Sequence, residues 1–123
     1  MIDYSKLAYQ LKREVKNFTD KIANNISRPK YKLVFQLFYG LLESQSTHLS
    51  KIARALKEET TLKKTIDRLS RNLNQFTEND ILIENYMQIV KKHTNTLSIL
   101  VIDNGDVSKP YSKALDSLCQ VRD

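Results

Sequence analysis

The chain holds only two glycines, Gly40 and Gly105, and two prolines, Pro29 and Pro110, in 123 residues. Average usage would place roughly nine glycines in such a length. Sandwiches and barrels of short strands need Gly and Pro at their many reversals. Their scarcity therefore predicts a chain built mainly of long helices. A single Cys119 excludes both a disulfide framework and a four-thiolate zinc site.

Apolar spacing supports the helical reading. Tyr4, Leu7, Leu11, Val15, Phe18 and Ile22 recur at three- and four-residue intervals, which predicts an amphipathic helix over about 3–24. Asn24-Asn25 and Ser27-Arg28-Pro29 break it, and Pro29 suits the first turn of the next helix. That second helix runs to about Glu43, and Leu33, Val34, Leu37, Phe38, Leu41 and Leu42 make it the most buried element expected. Gly40 within it is either a close-packing position or a tolerated glycine. A further amphipathic pattern, Ile81, Ile83, Tyr86, Met87 and Val90, follows a Thr77 cap and ends near His93, with Tyr86 and Met87 read as core.

Between these lies a pair of short helices. Leu49, Ile52, Ala53 and Leu56 fall at i, i+3, i+4 and i+7, with Thr47 as cap. Lys57-Glu58-Glu59-Thr60 forms a polar turn, and Leu62, Ile66, Leu69 and Leu73 make the stripe of the next helix, capped by Thr60 or Thr61. Two short amphipathic helices with a tight link are what a helix-turn-helix requires. Lys63, Lys64, Arg68 and Arg71 would then face base edges and phosphates from the second helix, and Lys51, Arg54 and Lys57 would hold phosphates. Residues 49–73 carry seven basic and three acidic side chains. A solvated helical hairpin with ordinary surface lysines shows the same pattern, and no glycine marks the turn. His48 reads as a surface or capping residue, since no second His lies at metal spacing.

Charge divides the chain. Residues 1–96 hold seventeen basic and ten acidic side chains, a net of +7, whereas 97–123 hold three and four, a net of −1. The acidic part begins with Leu97-Ser-Ile-Leu-Val-Ile102, a short apolar run rich in β-branched residues that predicts one buried strand. Asp103-Asn-Gly-Asp106 then reads as a turn. Carboxylates at the end of a buried strand are a recurring place for chemistry, but an Asx turn with Gly105 at positive φ accounts for the same residues. The expected fold class is thus mainly α: a helical bundle with a helix-turn-helix-like pair, followed by one C-terminal strand and turn. No segment approaches a membrane span, and Met1-Ile2-Asp3-Tyr4 is no signal peptide. A cytoplasmic location is the resulting expectation.

The run Ile99-Leu-Val-Ile-Asp103-Asn-Gly-Asp106-Val-Ser-Lys109-Pro110-Tyr111 resembles the opening of the catalytic domain in bacterial insertion-sequence transposases of the DDE type. Leu49-Ser-Lys-Ile-Ala-Arg-Ala-Leu56 and Lys64-Thr-Ile-Asp-Arg-Leu-Ser-Arg-Asn-Leu73 are similar to the DNA-binding region that such proteins place upstream. The resemblance covers about residues 30–123. It implies an RNase H-like domain in which three carboxylates hold two Mg²⁺ or Mn²⁺ ions for phosphodiester chemistry. Asp103 matches the first ligand, Asp106 is the nearest alternative, and Lys109 would contact phosphate or serve structure. Gly105 departs from the family, which often has Ser or Thr there.

The resemblance also implies a second Asp and a Glu beyond residue 123. The expectation is therefore a truncated transposase: 1–96 a helical DNA-binding region, 97–123 the start of a catalytic domain, inactive as this chain. Its partner would be double-stranded DNA, the ends of an insertion element, with a homodimer possible in outline. The competing expectation is a helical protein–protein module without DNA affinity, pairing through the Tyr4–Ile22 stripe.

Overall fold

The structure, a computed structural model, describes residues 3–103. Among these residues the backbone forms helices α1 (Tyr4–Ile22), α2 (Arg28–Ser44), α3 (Leu49–Leu56), α4 (Leu62–Asn74) and α5 (Asn79–His93). The mainly helical class expected from the sequence is what is observed.

Asp3 starts α1. Its Oδ1 accepts the N–H groups of Ser5 at 3.1 Å and Lys6 at 3.3 Å, and the Ser5 hydroxyl at 2.7 Å. These bonds satisfy donors that a first turn leaves unpaired. Led by the Ser5 hydroxyl, they hold the Asp3 carboxyl below its usual range. Val15, Thr19 and Ile22 form the buried face. Thr19 lies outside the apolar stripe yet is fully buried, because its hydroxyl donates to the Val15 carbonyl at 2.7 Å and so enters the core satisfied.

α2 is the centre of the molecule. It packs on α1 and on both α3 and α4, while α5 packs on α1. Pro29 lies in its first turn, as expected. The core has two clusters. Leu33, Ile52, Ala53 and Leu69 join α2, α3 and α4 into a tri-helical unit, flanked by Leu37, Leu49, Leu56, Leu62 and Ile66. Ile22, Ala23 and Val34 join α1 and α2 with Leu82 and Ile89 of α5. Phe76, between α4 and α5, packs against both. Each fully buried aliphatic side chain contributes about 1.5–3 kcal/mol.

Gly40 is a close-packing position. A Cβ there would stand 2.5 Å from Ile52 Cγ2 and 3.2 Å from the Ile52 carbonyl oxygen on α3. Helix propensity alone would favour Ala by about 1 kcal/mol, but overpacking costs about 1–3 kcal/mol. Because one contacted atom is backbone, the clash prevails. Gly40→Ala is expected to destabilise the fold by about 1–2 kcal/mol. A thermal melt of the variant that rises above that of the parent would show instead that Ile52 moves freely.

α5 departs from the sequence expectation. Ile83, Tyr86 and Met87 are exposed, so Tyr86 and Met87 are not core. The inward face is Leu82, Asn85 and Ile89. Asn85 sits there because its Nδ2 donates to the Ile22 carbonyl at 2.9 Å and the Asn24 carbonyl at 3.2 Å, closing the carbonyl end of α1. The cap residues also shift: His48 rather than Thr47 precedes α3, and Glu78 rather than Thr77 precedes α5.

The strand expected over 97–102 is not formed among the described residues. A strand needs a neighbouring edge for its N–H and C=O groups, and no described segment supplies one. Leu97, Ile99, Leu100, Val101 and Ile102 are 77–89% exposed.

Candidate nucleic-acid interface

α3, the link 57–61 and α4 form the helical pair that the sequence suggests. Ala53 is buried where the two helices meet, and the small side chain permits that approach. The tight link is made without glycine: Lys57 adopts the left-handed conformation, φ 48° and ψ 45°. A side chain there costs about 1–2 kcal/mol. Lys57→Gly is therefore expected to raise stability by up to about 1 kcal/mol, since added freedom of the unfolded chain offsets part of the gain. A lower unfolding midpoint in urea would contradict this account of the turn.

The seven predicted DNA-contacting residues divide into two groups. Lys51, Arg54, Lys57, Lys63, Lys64 and Arg71 are exposed, and none forms a salt bridge among the described residues. On α4, Thr65, Leu69 and the half-buried Leu62 and Ile66 face inward. This helical spacing places Lys63, Lys64 and Arg71 on the solvent side, with Asp67 the only acidic residue of that helix.

Arg68 belongs elsewhere. Its Nη2 donates to both Glu58 carboxylate oxygens, at 2.8 and 2.9 Å, and its Nη1 donates to Gln36 Oε1 at 3.0 Å. Gln36 Nε2 and the Thr65 hydroxyl complete the ring by donating to Glu58 at 2.9 and 3.1 Å. Burial pushes the Glu58 carboxyl up, but the hydrogen bonds from Arg68, Thr65 and Gln36 and the Arg68 charge outweigh it, and the net shift is downward. The ring ties α2, the α3–α4 link and α4 together. Arg68 thus orients α4 rather than reaching out from it. Sequence spacing carried no signal for this, because Gln36 and Glu58 lie 32 and 10 residues away.

A shared feature of the caps was hidden in the sequence and emerges with the helix starts. The third helical residue is Lys6 in α1, Lys30 in α2, Lys51 in α3 and Lys64 in α4, and none of these four helices has an acidic residue in its first turn. The helix dipole and the capping box both favour Glu at that position. Lys30 is matched by an ion pair with Glu78. Lys51 and Lys64 are exposed without such a partner among the described residues. A lysine there costs about 0.3–1 kcal/mol in an isolated helix and favours an approaching anion.

Of the predicted metal ligands only Asp103 lies among the described residues. Asp103 is exposed after the unpaired apolar run, and Asp106 and Lys109 lie outside the described residues. No group of three or more His, Cys, Asp or Glu side chains able to hold a metal occurs among the described residues. One exposed carboxylate does not fit a two-metal centre, which needs several carboxylates fixed by a sheet. No helix among the described residues is long and apolar enough to cross a membrane.

Comparisons with family models, with curated proteins and with solved structures find no match.

Proposed function

We propose that the helical region binds double-stranded DNA through α3 and α4. The observation that carries this reading is the set of six exposed cations, without a salt-bridge partner among the described residues, on one tri-helical unit: Lys51, Arg54, Lys57, Lys63, Lys64 and Arg71. Two of them, Lys51 and Lys64, occupy helix starts where the fold itself is better served by acids. Lys63, Lys64 and Arg71 lie on the solvent side of α4, which would enter the major groove, and α3 would cross the backbone.

The resemblance of residues 99–111 to DDE-type transposases gives this reading its context: DNA binding at the ends of an insertion element, ahead of a catalytic domain using Mg²⁺ or Mn²⁺. The family pattern would make Asp103 the first metal ligand, with Asp106 the nearest alternative, together with further carboxylates that are not gathered among the described residues. The 123-residue chain is expected to bind duplex DNA and not to cleave it, in the presence of either ion. A gel-shift assay paired with a nicking assay tests both halves; robust cleavage would overturn the second.

A second reading has its own support. Tyr4, Leu7 and Tyr9 are exposed on α1. Beyond them Leu11, Val15, Phe18, Phe38, Leu41 and Leu42 line a groove of about 420 Å³ between α1 and α2. This surface suits a helical partner, as a protein–protein module would need. A stable complex through α1 without affinity for DNA would favour it.

A further inference from the structure

We infer that Asp67 is the residue of α4 that discriminates between bases, by accepting a hydrogen bond from the amino group of a cytosine in the major groove. This inference rests on the proposed DNA binding through α3 and α4, and it names what that surface selects.

Leu62, Thr65, Ile66 and Leu69 hold α4 to the core. Asp67 is exposed and lies on the opposite side. The helical repeat sets it between Lys64, three residues earlier, and Arg71, four residues later. This line of α4 projects furthest from the tri-helical unit, so it reaches deepest into a groove that receives the helix. Lys63 stands four residues before Asp67, and Asp67 followed by Arg71 is the favourable order for an ion pair on a helix. No such pair forms: the salt bridges among the described residues lie elsewhere. The carboxylate therefore stands in the middle of a cationic face without being spent on it.

Chemistry then selects its partner. An ionised carboxylate only accepts hydrogen bonds, so it repels phosphate and must find a donor. In the major groove guanine shows two acceptors, and thymine shows an acceptor and a methyl group. Adenine offers an amino donor, but its N7 acceptor stands beside it. Cytosine alone presents an amino donor without an acceptor next to it. Guanine or thymine at that position would set acceptor against acceptor, which makes Asp67 a device of rejection as well as of recognition. Lys63, Lys64 and Arg71 around it remain available for phosphates, which position the helix without reading sequence.

The test is selection of duplexes from a pool with a random core by the 123-residue chain, by Asp67→Ala and by Asp67→Asn, with circular dichroism to verify that the helices are unchanged. The parent is expected to select a site with cytosine at one position, and to lose about tenfold in affinity when that base pair is changed. Asp67→Ala should bind all four versions of that position alike. It should also bind a random duplex about twofold or more tighter, because an anion leaves the phosphate-facing surface. Asp67→Asn should move the preference to adenine, whose N6 and N7 an amide matches. A cytosine preference that survives in Asp67→Ala overturns the inference and leaves DNA binding intact. So does salt-sensitive binding by the parent without any base preference. Absence of binding by the parent and both variants at about 50 mM salt overturns the DNA-binding reading itself, and the inference with it.

Discussion

Arg68→Ala is expected to lower the stability of the fold by about 2–3 kcal/mol. Breaking a fully buried ion pair costs about 3–5 kcal/mol, but the Arg68 side chain remains 36% exposed, and solvent screening reduces the loss. The remaining loss is large because two partners are stranded at once. Glu58 loses its charge partner and buried Gln36 loses the donor to its Oε1. The melting temperature should fall by about 10 °C or more.

Acid provides a second check. The Glu58 carboxyl is held below its unfolded value. Its contribution is therefore complete above the unfolded value and disappears as pH falls through the folded one. The difference between parent and Arg68→Ala should be full at pH 7 and narrow below the usual glutamate range. A variant with the parent's melting temperature at pH 7 would return Arg68 to the role of a free DNA contact.

Lys64→Glu should have opposite effects on the stability of the fold and on the proposed DNA binding. Thr61 precedes α4 and Lys64 is its third residue, so glutamate at 64 completes a capping box with Thr61 and complements the dipole. Stability should rise by about 0.5–1 kcal/mol. Affinity for duplex DNA should fall about tenfold or more, equivalent to roughly 1.4 kcal/mol, because a cation beside phosphate becomes an anion. Stability and binding moving together would mean that Lys64 serves the fold alone. The paired outcome is informative because general unfolding cannot imitate a tighter fold that binds less.

How much of the fold was legible in the sequence depended on how local each cause was. The scarcity of glycine and the apolar spacing of α1 to α4 identify the helices, because burial follows a 3.6-residue period. The same rule chose the wrong face of α5. Ile83, Tyr86, Met87 and Val90 make a more regular stripe than Leu82, Asn85 and Ile89. The packed face contains a polar residue whose partners are carbonyls more than sixty residues away.

Arg68 was misjudged for a related reason. On a helical wheel it adjoins Lys64 and Arg71, and only the fold reveals Glu58 and Gln36 beside it. The turn at Lys57 shows the converse case. The absence of glycine counted against a tight link, but the chain makes the link by holding a lysine at φ 48°. Leu97–Ile102 has the composition of a strand, yet composition cannot supply the neighbouring edge on which a strand depends.

The most direct test of DNA binding through α3 and α4 is the salt dependence of affinity for a duplex, measured by fluorescence anisotropy. If three to five of the six exposed cations engage phosphates as proposed, log K falls against log salt with a slope of about −3 to −5. Replacing Lys63, Lys64 and Arg71 by Ala should reduce the steepness by about three. Affinity insensitive to salt, or no binding at about 50 mM, where backbone contacts are strong, would contradict it.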